Sequence, residues 1–232
     1  MRITRLVAGT VTAGLLGLTP IAISAPAQAV ETWTTTTVAS SDKALVAYGD
    51  EIYVTVDVNG SDGLGPSSGT STLYAMEGGS TAWVPVATGA YPGSDFYPVK
   101  PNMNTTYKVV FGGYTDPDQG EFDDNYLPSE SAPFTVAVTR KVAFSNPKGT
   151  LIKGKVTPNY GKKKIKVAKK VGKKWKKYKT FTTTKAGKYR FTLPAPRRGK
   201  TQWRITVPGN SQFTKWETKG FTYSSRTAVN YR

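Results

Sequence analysis

Residues 52–58 read Ile-Tyr-Val-Thr-Val-Asp-Val, a strict alternation of apolar and polar side chains. Because successive side chains of a strand point to opposite faces, Ile52, Val54, Val56 and Val58 are predicted to share one buried face. Comparable runs bounded by Gly, Pro, Asn and Asp occur at 107–111, 134–138, 165–167, 189–193 and 203–207. No stretch has the period of a helix. The sequence therefore predicts an all-β protein.

The first 29 residues have the features of a secretory signal peptide. A basic start is followed by an apolar stretch at 6–23 and by Ala-Pro-Ala-Gln-Ala at 25–29, which is the order of regions in an exported precursor cleaved after Ala29. An uncleaved anchor is the alternative, but the apolar run is short and contains Pro20. No later run is long enough to span a bilayer. We expect a secreted chain from about Val30, either released or held non-covalently at a cell wall.

Charge is distributed very unevenly along the chain. Residues 30–138 contain 14 acidic residues against three lysines, a balance of −11, whereas 139–232 contain 27 Lys and Arg against Glu217 alone, a balance of +26. So sharp a change indicates two modules with separate surfaces. We therefore predict a signal peptide at 1–29, an acidic module at 30–138 and a basic module at 139–232.

The two modules also resemble each other. Each has a glycine turn followed by a tryptophan, at 78–83 in the first and at 172–175 in the second, and each continues into an aromatic strand. An internal duplication is the simplest interpretation. About seven short strands per hundred residues favour two tandem immunoglobulin-like β-sandwich domains.

The basic module carries a family resemblance in four stretches. They read GKV at 154–156, KIKV at 164–167, VGKKW at 171–175 and TKAGKYRF at 184–191. These stretches resemble the bacterial immunoglobulin-like repeats of secreted and surface proteins of Gram-positive bacteria. The resemblance covers most of 139–224 and is loose in the acidic module. It implies a sandwich used as a spacer, adhesion or wall-associated module without enzymatic activity, although motifs of this kind report fold more than function.

The composition excludes most catalytic machinery. The chain contains no His and no Cys, so Ser-His-Asp and Cys-His centres, thiolate metal sites and disulfides are all ruled out. Catalysis by a pair of carboxylates, as in glycosidases, is still formally possible. However, the acidic residues lie mostly in polar, turn-rich segments, where solvation is their ordinary role. We predict a non-enzymatic protein without a small-molecule substrate.

The densest acidic cluster is DPDQGEFDDN at 116–125. Calcium requires six to eight oxygen ligands at about 2.3–2.6 Å, and acidic side chains along a short loop supply such oxygens. The spacing departs from an EF-hand loop, because the glycine is one position early and no Glu closes the loop. A solvated loop without a cofactor is the simpler interpretation, and a Ca²⁺ site is the alternative. Its ligands would be Asp116, Asp118, Asp123 and Asp124.

Lysine dominates the surface predicted for the basic module. Ordinary surfaces intersperse both signs, because like charges facing each other across strands destabilise by up to about 1 kcal/mol per pair. Binding of a polyanionic partner is the simplest explanation for such a surface. The alternative is an ordinary solvated face whose lysines discourage pairing at the sheet edges. The predicted polyanion-binding residues are Lys153, Lys155, Lys162, Lys163, Lys164, Lys166, Lys170, Lys173, Lys174, Lys176, Lys177, Lys188, Arg190 and Arg204.

The expected partner is an anionic polymer, namely teichoic acid, acidic polysaccharide or extracellular DNA, and anionic lipid headgroups are a further alternative. Residues 139–232 hold 20 Lys to seven Arg, so binding is expected to be diffuse and salt-sensitive rather than bidentate. The alternative function is that of a structural or interaction protein, in which the acidic and basic modules dock with each other within or between chains. A loop-docking enzyme inhibitor has no sequence feature for or against it.

An aromatic stacking platform among the lysines is the weaker expectation. Trp203 alternates with core positions, and Trp175 belongs to a predicted hairpin. Only Trp216 lacks a core assignment, and a stacking surface needs exposed rings.

Overall fold

A computed structural model describes residues 30–117 and 124–224, and the regular structure within these ranges is entirely β-strand. The predicted signal peptide at 1–29 lies outside them, as do Asp118 and Asp123 of the acidic loop. Within the same ranges, no helix has the length and apolarity needed to cross a membrane.

The first sandwich is built from eleven of the described strands. They are β1 (Thr32–Trp33), β2 (Thr35–Ser41), β3 (Leu45–Ala47), β4 (Ile52–Gly60), β5 (Ser71–Glu77), β6 (Val84–Thr88), β7 (Phe96–Val99), β8 (Thr105–Phe111), β9 (Asn125–Tyr126), β10 (Ser129–Glu130) and β11 (Phe134–Thr139). One sheet has the order β2-β4-β7, and the other has the order β3-β11-β8-β5-β6 with β10 paired to β8. A short parallel pair, β1-β9, lies beside them.

The alternation predicted at 52–58 is confirmed in β4. Ile52, Val54, Val56 and Val58 are buried, and the side chains between them are exposed. Strand β8 has the same alternation, and its Tyr107, Val109 and Phe111 pack against these residues in the same core. Burial of this apolar surface is the main term that stabilises the sandwich.

The second sandwich contains seven of the described strands. They are β12 (Lys141–Lys148), β13 (Leu151–Thr157), β14 (Lys164–Val171), β15 (Lys174–Thr182), β16 (Lys188–Thr192), β17 (Lys200–Val207) and β18 (Trp216–Tyr223). A three-stranded sheet, β12-β13-β16, packs against a four-stranded sheet, β15-β14-β17-β18, and all pairings are antiparallel. Two antiparallel sheets of three and four strands are the immunoglobulin-like arrangement, so the predicted fold class is confirmed.

The core of the second sandwich lies between its two sheets. Ile152 and Phe191 contribute from the three-stranded sheet, and Ile165 and Trp203 from the four-stranded sheet. The Trp203 indole N–H donates to Thr222 Oγ1 at 2.8 Å, which satisfies the one polar atom of a buried ring. Trp203 is therefore a core residue, as the sequence predicts.

The hairpin between β14 and β15 follows from one glycine. Val171 pairs with Lys174, which leaves Gly172 and Lys173 as a two-residue loop. Gly172 has a φ of 58°, and a glycine at the first loop position provides the twist that such tight hairpins need. This turn fixes the register that places the lysines of both strands.

One residue and one loop join the two sandwiches. Only Arg140 separates β11 from β12, and the β17–β18 loop returns to the first sandwich. There the Asn104 backbone N–H donates to the Gln212 carbonyl at 2.7 Å. Phe213 is 5% exposed and belongs to the core cluster of the first sandwich. The contact is made by loops and chain ends, so it leaves the outer faces of the second sandwich uncovered.

Arg140 is enclosed at this junction. It is 3% exposed, and its guanidinium carbon lies 4.2 Å from the centre of the Phe213 ring and 5.0 Å from that of the Tyr160 ring. Its Nε donates to the Pro158 carbonyl at 3.4 Å. Burial lowers the pKa of Arg140, and the aromatic faces offset part of the cost of removing the cation from water.

Candidate polyanion-binding surface

The outer face of the three-stranded sheet carries a compact group of cations, here called the three-strand face. It consists of Lys141, Lys153, Lys155, Lys188 and Arg190, all of which are exposed. Their neighbours Ile152, Val156, Tyr189 and Phe191 point the other way into the core. Glu217 is the single acidic residue of 139–232 and lies on β18, so none of the described residues of this face carries a carboxylate.

Strand register sets these cations directly against one another. Lys153 is paired with Arg190, and Lys155 with Lys188. Alternate residues of a strand are about 7 Å apart, and directly opposite residues about 5 Å apart. The four residues therefore form a rectangle of like charge. Each opposed pair destabilises the sheet by up to about 1 kcal/mol.

The outer face of the four-stranded sheet, here called the four-strand face, is a second basic surface. A groove of about 510 Å³ runs along it. Ala168 forms part of its floor, and Lys166, Lys177 and Lys215 are among its walls. Lys164 and Lys170 lie on β14 and are exposed.

Arg204 holds a fixed position in this groove. Its guanidinium carbon lies 4.9 Å from the centre of the Trp175 ring, and its Nε lies 3.8 Å from a carboxylate oxygen of Glu217. The Nε atom is buried and makes no hydrogen bond among the described residues. Stacking on an aromatic ring orients the planar guanidinium, which can then present its remaining N–H groups to an anion.

The remaining predicted residues lie at the margins of these two faces. Lys173 and Lys174 form the tip of the β14–β15 hairpin. Lys176, on β15, is directly opposite Lys169, which adds a third like-charge pair. Lys162 and Lys163 lie in the loop before β14, where the Lys163 ammonium is 5.9 Å from the Tyr160 ring centre. All five predicted residues are exposed.

Aromatic side chains near the lysines depart in part from the sequence expectation. Trp216, which had no core assignment, is half-buried against the second core. Phe221 and Tyr223 are exposed on β18, and the Lys200 ammonium lies 5.0 Å from the Phe221 ring centre. The sequence reasoning missed these two rings and the pairing of Arg204 with Trp175. Alternation along β18 would have placed these rings in the core, because Thr222 is the buried residue between them. The exposed rings and the Arg204 contact both depend on how the strands pair.

Ion pairs are distributed differently in the two sandwiches. The described part of the first sandwich contains Lys43–Asp42, Lys100–Glu51 and Lys108–Glu130. In the second sandwich, the described ion pair is that of Arg204 with Glu217. Within residues 30–117 and 124–224, no ion pair joins the two sandwiches. The acids of the first sandwich therefore do not neutralise the lysines of the second in this arrangement.

The first sandwich carries an acidic surface of its own. A groove of about 650 Å³ is lined by Asp42, Asp50, Glu51, Tyr53 and Tyr97, among others. A hydrogen bond from the Tyr53 backbone N–H lowers the pKa of Asp42. The Lys100 ammonium, followed by the Tyr97 hydroxyl, lowers the pKa of Glu51. Both carboxyl groups are therefore ionised at neutral pH.

The described part of the acidic loop contains two of the four proposed calcium ligands. Asp116 is mostly buried, accepts a hydrogen bond from the Tyr114 hydroxyl at 3.1 Å, and donates its backbone N–H to Asn125 Oδ1 at 2.9 Å. Asp124 is half-buried. Asp118 and Asp123 are outside the described residues, and within those residues no group of three or more metal-ligating side chains forms. A Ca²⁺ site here stays a prediction.

Comparisons with known proteins found similarity in structure only. No family model matches the chain, and no curated protein matches it. The human OSCAR ligand-binding domain is 13% identical with a TM-score of 0.28, and the match covers 78% of this chain and 94% of that one. The FN1-FN3 domains of chicken CNTN1 are 14% identical with a TM-score of 0.29, covering 84% of this chain and 67% of theirs. The sheet topology described above is what defines the class, an all-β protein of immunoglobulin-like sandwiches.

Proposed function

We propose that the chain is a secreted, non-enzymatic binding protein whose basic sandwich attaches to an anionic cell-wall or matrix polymer. The observation that carries this proposal is three opposed cation pairs of the second sandwich in which neither member is ion-paired within the described ranges: Lys153 with Arg190, Lys155 with Lys188, and Lys169 with Lys176. None of these residues has an ion-pair partner among the described residues. A bound polyanion would supply the missing counter-charge.

The size of the repulsion makes an external counter-charge significant. Three opposed pairs at up to about 1 kcal/mol each are a sizeable part of the roughly 5–15 kcal/mol by which an ordinary domain is stable. Binding a polyanion removes this repulsion and releases condensed counterions from the polymer. Both effects favour attachment at low salt and weaken as salt rises.

The residue types support a cell-wall or matrix polymer over sequence-specific nucleic acid. Lysine is a point charge that tolerates irregular spacing, whereas reading of bases relies on planar, bidentate side chains. The signal-peptide features of 1–29 direct the chain to the compartment where teichoic acids and acidic polysaccharides are found. Teichoic acid and acidic polysaccharide are therefore the preferred partners, and extracellular DNA is an alternative that the same experiment covers.

The test is retention of the mature chain, residues 30–232, on Gram-positive cell walls over a salt series, with and without prior removal of teichoic acid. We expect the logarithm of the binding constant to fall linearly with the logarithm of the salt concentration. We also expect walls without teichoic acid not to retain the chain. A Lys153→Gln/Lys155→Gln/Lys166→Gln variant should reduce the slope by about one unit for each cation that contacts the polymer.

A matched control separates the basic face from charge in general. Lys43→Gln and Lys100→Gln remove two exposed lysines of the first sandwich and should leave the salt slope unchanged. Retention that resists 1 M salt, or that responds equally to both sets of variants, would contradict polyanion attachment.

The acidic groove of the first sandwich favours a second candidate, pairing between copies of the chain. Ionised Asp42 and Glu51 of one copy would face the lysines of the next, and opposite charges of this size accelerate docking at low salt. Light scattering of the purified chain without any polymer tests it. Large particles at low salt that dissociate at high salt would support this candidate, and a monomer at all salt concentrations would exclude it.

A further inference from the structure

We infer that the second sandwich holds two separate polyanion sites on opposite sides, so that one molecule bridges two polymer strands. The inference rests on the proposed function and adds to it the number of sites, their positions and the resulting cross-linking. The first site is the three-strand face, and the second is the four-strand face with its Arg204 groove.

The positions of the two faces follow from the core. Ile152 and Val156 point inward from the three-stranded sheet, and Ile165 and Val167 point inward from the four-stranded sheet. Residues that alternate with them must therefore point outward from each sheet, away from one another. The cations of the two faces are on opposite sides of a closed apolar layer.

Distance makes the two faces electrostatically independent. Sheets packed face to face are about 10 Å apart, and the lysine side chains extend outward from both. Along the path through the surrounding solution, the two layers of ammonium groups are thus separated by more than the Debye length of about 8 Å at physiological salt. A polymer bound on one face neutralises little of the charge on the other, which keeps its affinity for a second polymer strand.

The two faces are also different in shape, which argues against one continuous belt. On the three-strand face, Lys153, Lys155, Lys188 and Arg190 surround a shallow depression of about 440 Å³. On the four-strand face, Arg204 stacks on Trp175 inside a groove, and Glu217 supplies the one carboxylate. The first arrangement suits a chain of closely spaced charges, and the second suits a single anionic group held by an oriented guanidinium.

The junction with the first sandwich leaves both faces accessible. The first sandwich contacts the β17–β18 loop and Arg140, through Asn104 and the pocket around Phe213. A membrane surface would meet only one of two opposite faces, whereas strands of a polymer network can meet both. The geometry therefore favours linear anionic polymers of a wall or matrix as the occupants.

Two charge-reversed variants test the inference in the mature chain with purified teichoic acid as the probe. Lys153→Glu/Lys188→Glu reverses one member of each opposed pair on the three-strand face. The fold should not suffer, because each change converts a like-charge pair into an opposite-charge pair. Lys166→Glu/Lys177→Glu makes the same change in net charge on the four-strand face. Lys185→Glu/Arg198→Glu is the matched control, since both residues are exposed in loops off the two faces.

Two readouts are compared: binding to short teichoic acid fragments by calorimetry, and cross-linking of long polymer by light scattering. We expect the unchanged chain to bind fragments and to form large particles, most strongly at an intermediate ratio of protein to polymer. Each face variant should keep fragment binding within about tenfold while losing the particles, because the second face remains. The control should retain both activities.

The outcomes separate the inference from the function on which it rests. If one face variant abolishes fragment binding and the other behaves like the unchanged chain, the protein has a single site and the bridging inference is wrong while polyanion attachment stands. The inference also fails if either face variant still cross-links fully. If the unchanged chain binds neither fragments nor long polymer, the proposed function itself is wrong.

Discussion

The two sandwiches share an architecture but treat surface charge in opposite ways. In the described strands of the first sandwich no two like charges face each other, and three lysines pair with Asp42, Glu51 and Glu130. In the second sandwich, cations oppose cations at four positions, the fourth being Arg204 with Lys219, and one ion pair is present among the described residues. The fold is set by the alternating buried positions, which both sandwiches have. The outward positions are thereby available for a binding surface.

The largest effect is expected where the two sandwiches meet. Phe213 belongs in sequence to the basic half, but it is buried in the core of the acidic half with its ring 6.4 Å from that of Tyr48. Phe213→Ala should lower the free energy of unfolding by about 3–5 kcal/mol, because it removes a buried ring and leaves a cavity. We expect calorimetry to show one transition for the unchanged chain and two for the variant.

Phe221→Ala is the matched control for this change. Phe221 is 46% exposed on the four-strand face, so its removal should change stability by no more than about 0.5 kcal/mol. Equal effects of the two substitutions would mean that the sandwiches are not joined through Phe213.

A smaller effect is expected from screening the charge of the second sandwich. Added salt weakens repulsion between exposed charges, so raising salt from about 0.01 M to 0.15 M should stabilise the second sandwich by about 1 kcal/mol or less. Lys153→Glu/Lys188→Glu should be more stable than the unchanged chain at low salt and should lose that advantage at high salt. Thermal unfolding at the two salt concentrations measures both. A variant that is less stable at low salt would contradict repulsion at these two pairs.

The sequence predicted which residues of each strand are buried or exposed better than it predicted how the strands pair and how the two sandwiches meet. Alternation is a local property, so the buried faces of 52–58 and 203–207 and the exposed lysines of β13 and β16 could be predicted residue by residue. The opposition of Lys153 to Arg190 depends on which strands pair and in what register. The insertion of Phe213 into the other sandwich depends on contacts between residues far apart in the chain, and no local pattern encodes such contacts.

The smallest expected effect concerns two buried tyrosines, one in each core. It tests whether their pKa values are set by burial or by the net charge of the surrounding sandwich. Burial raises the pKa of Tyr107 in the acidic sandwich and of Tyr189 in the basic sandwich, in both cases to about 12. A dominant effect of the surrounding charge would instead raise the first and lower the second. Since unfolded tyrosines titrate near pH 10, the contribution of each to stability is complete below about pH 10 and is lost as pH rises through about 12.

Alkaline titration followed by tyrosinate absorbance measures both groups, with Tyr107→Phe and Tyr189→Phe to assign them. We expect the two hydroxyls to ionise together near pH 12, as the core opens, and with little dependence on salt. The Tyr189 hydroxyl also donates to the Ala143 carbonyl at 2.8 Å across Gly154, which favours its protonated form. If Tyr189 ionises below about pH 10, where lysine in general keeps its charge, and if its pKa rises as salt is added, the lysine field reaches the core. The two faces of the basic sandwich would then be electrostatically coupled, and binding on one face would weaken binding on the other.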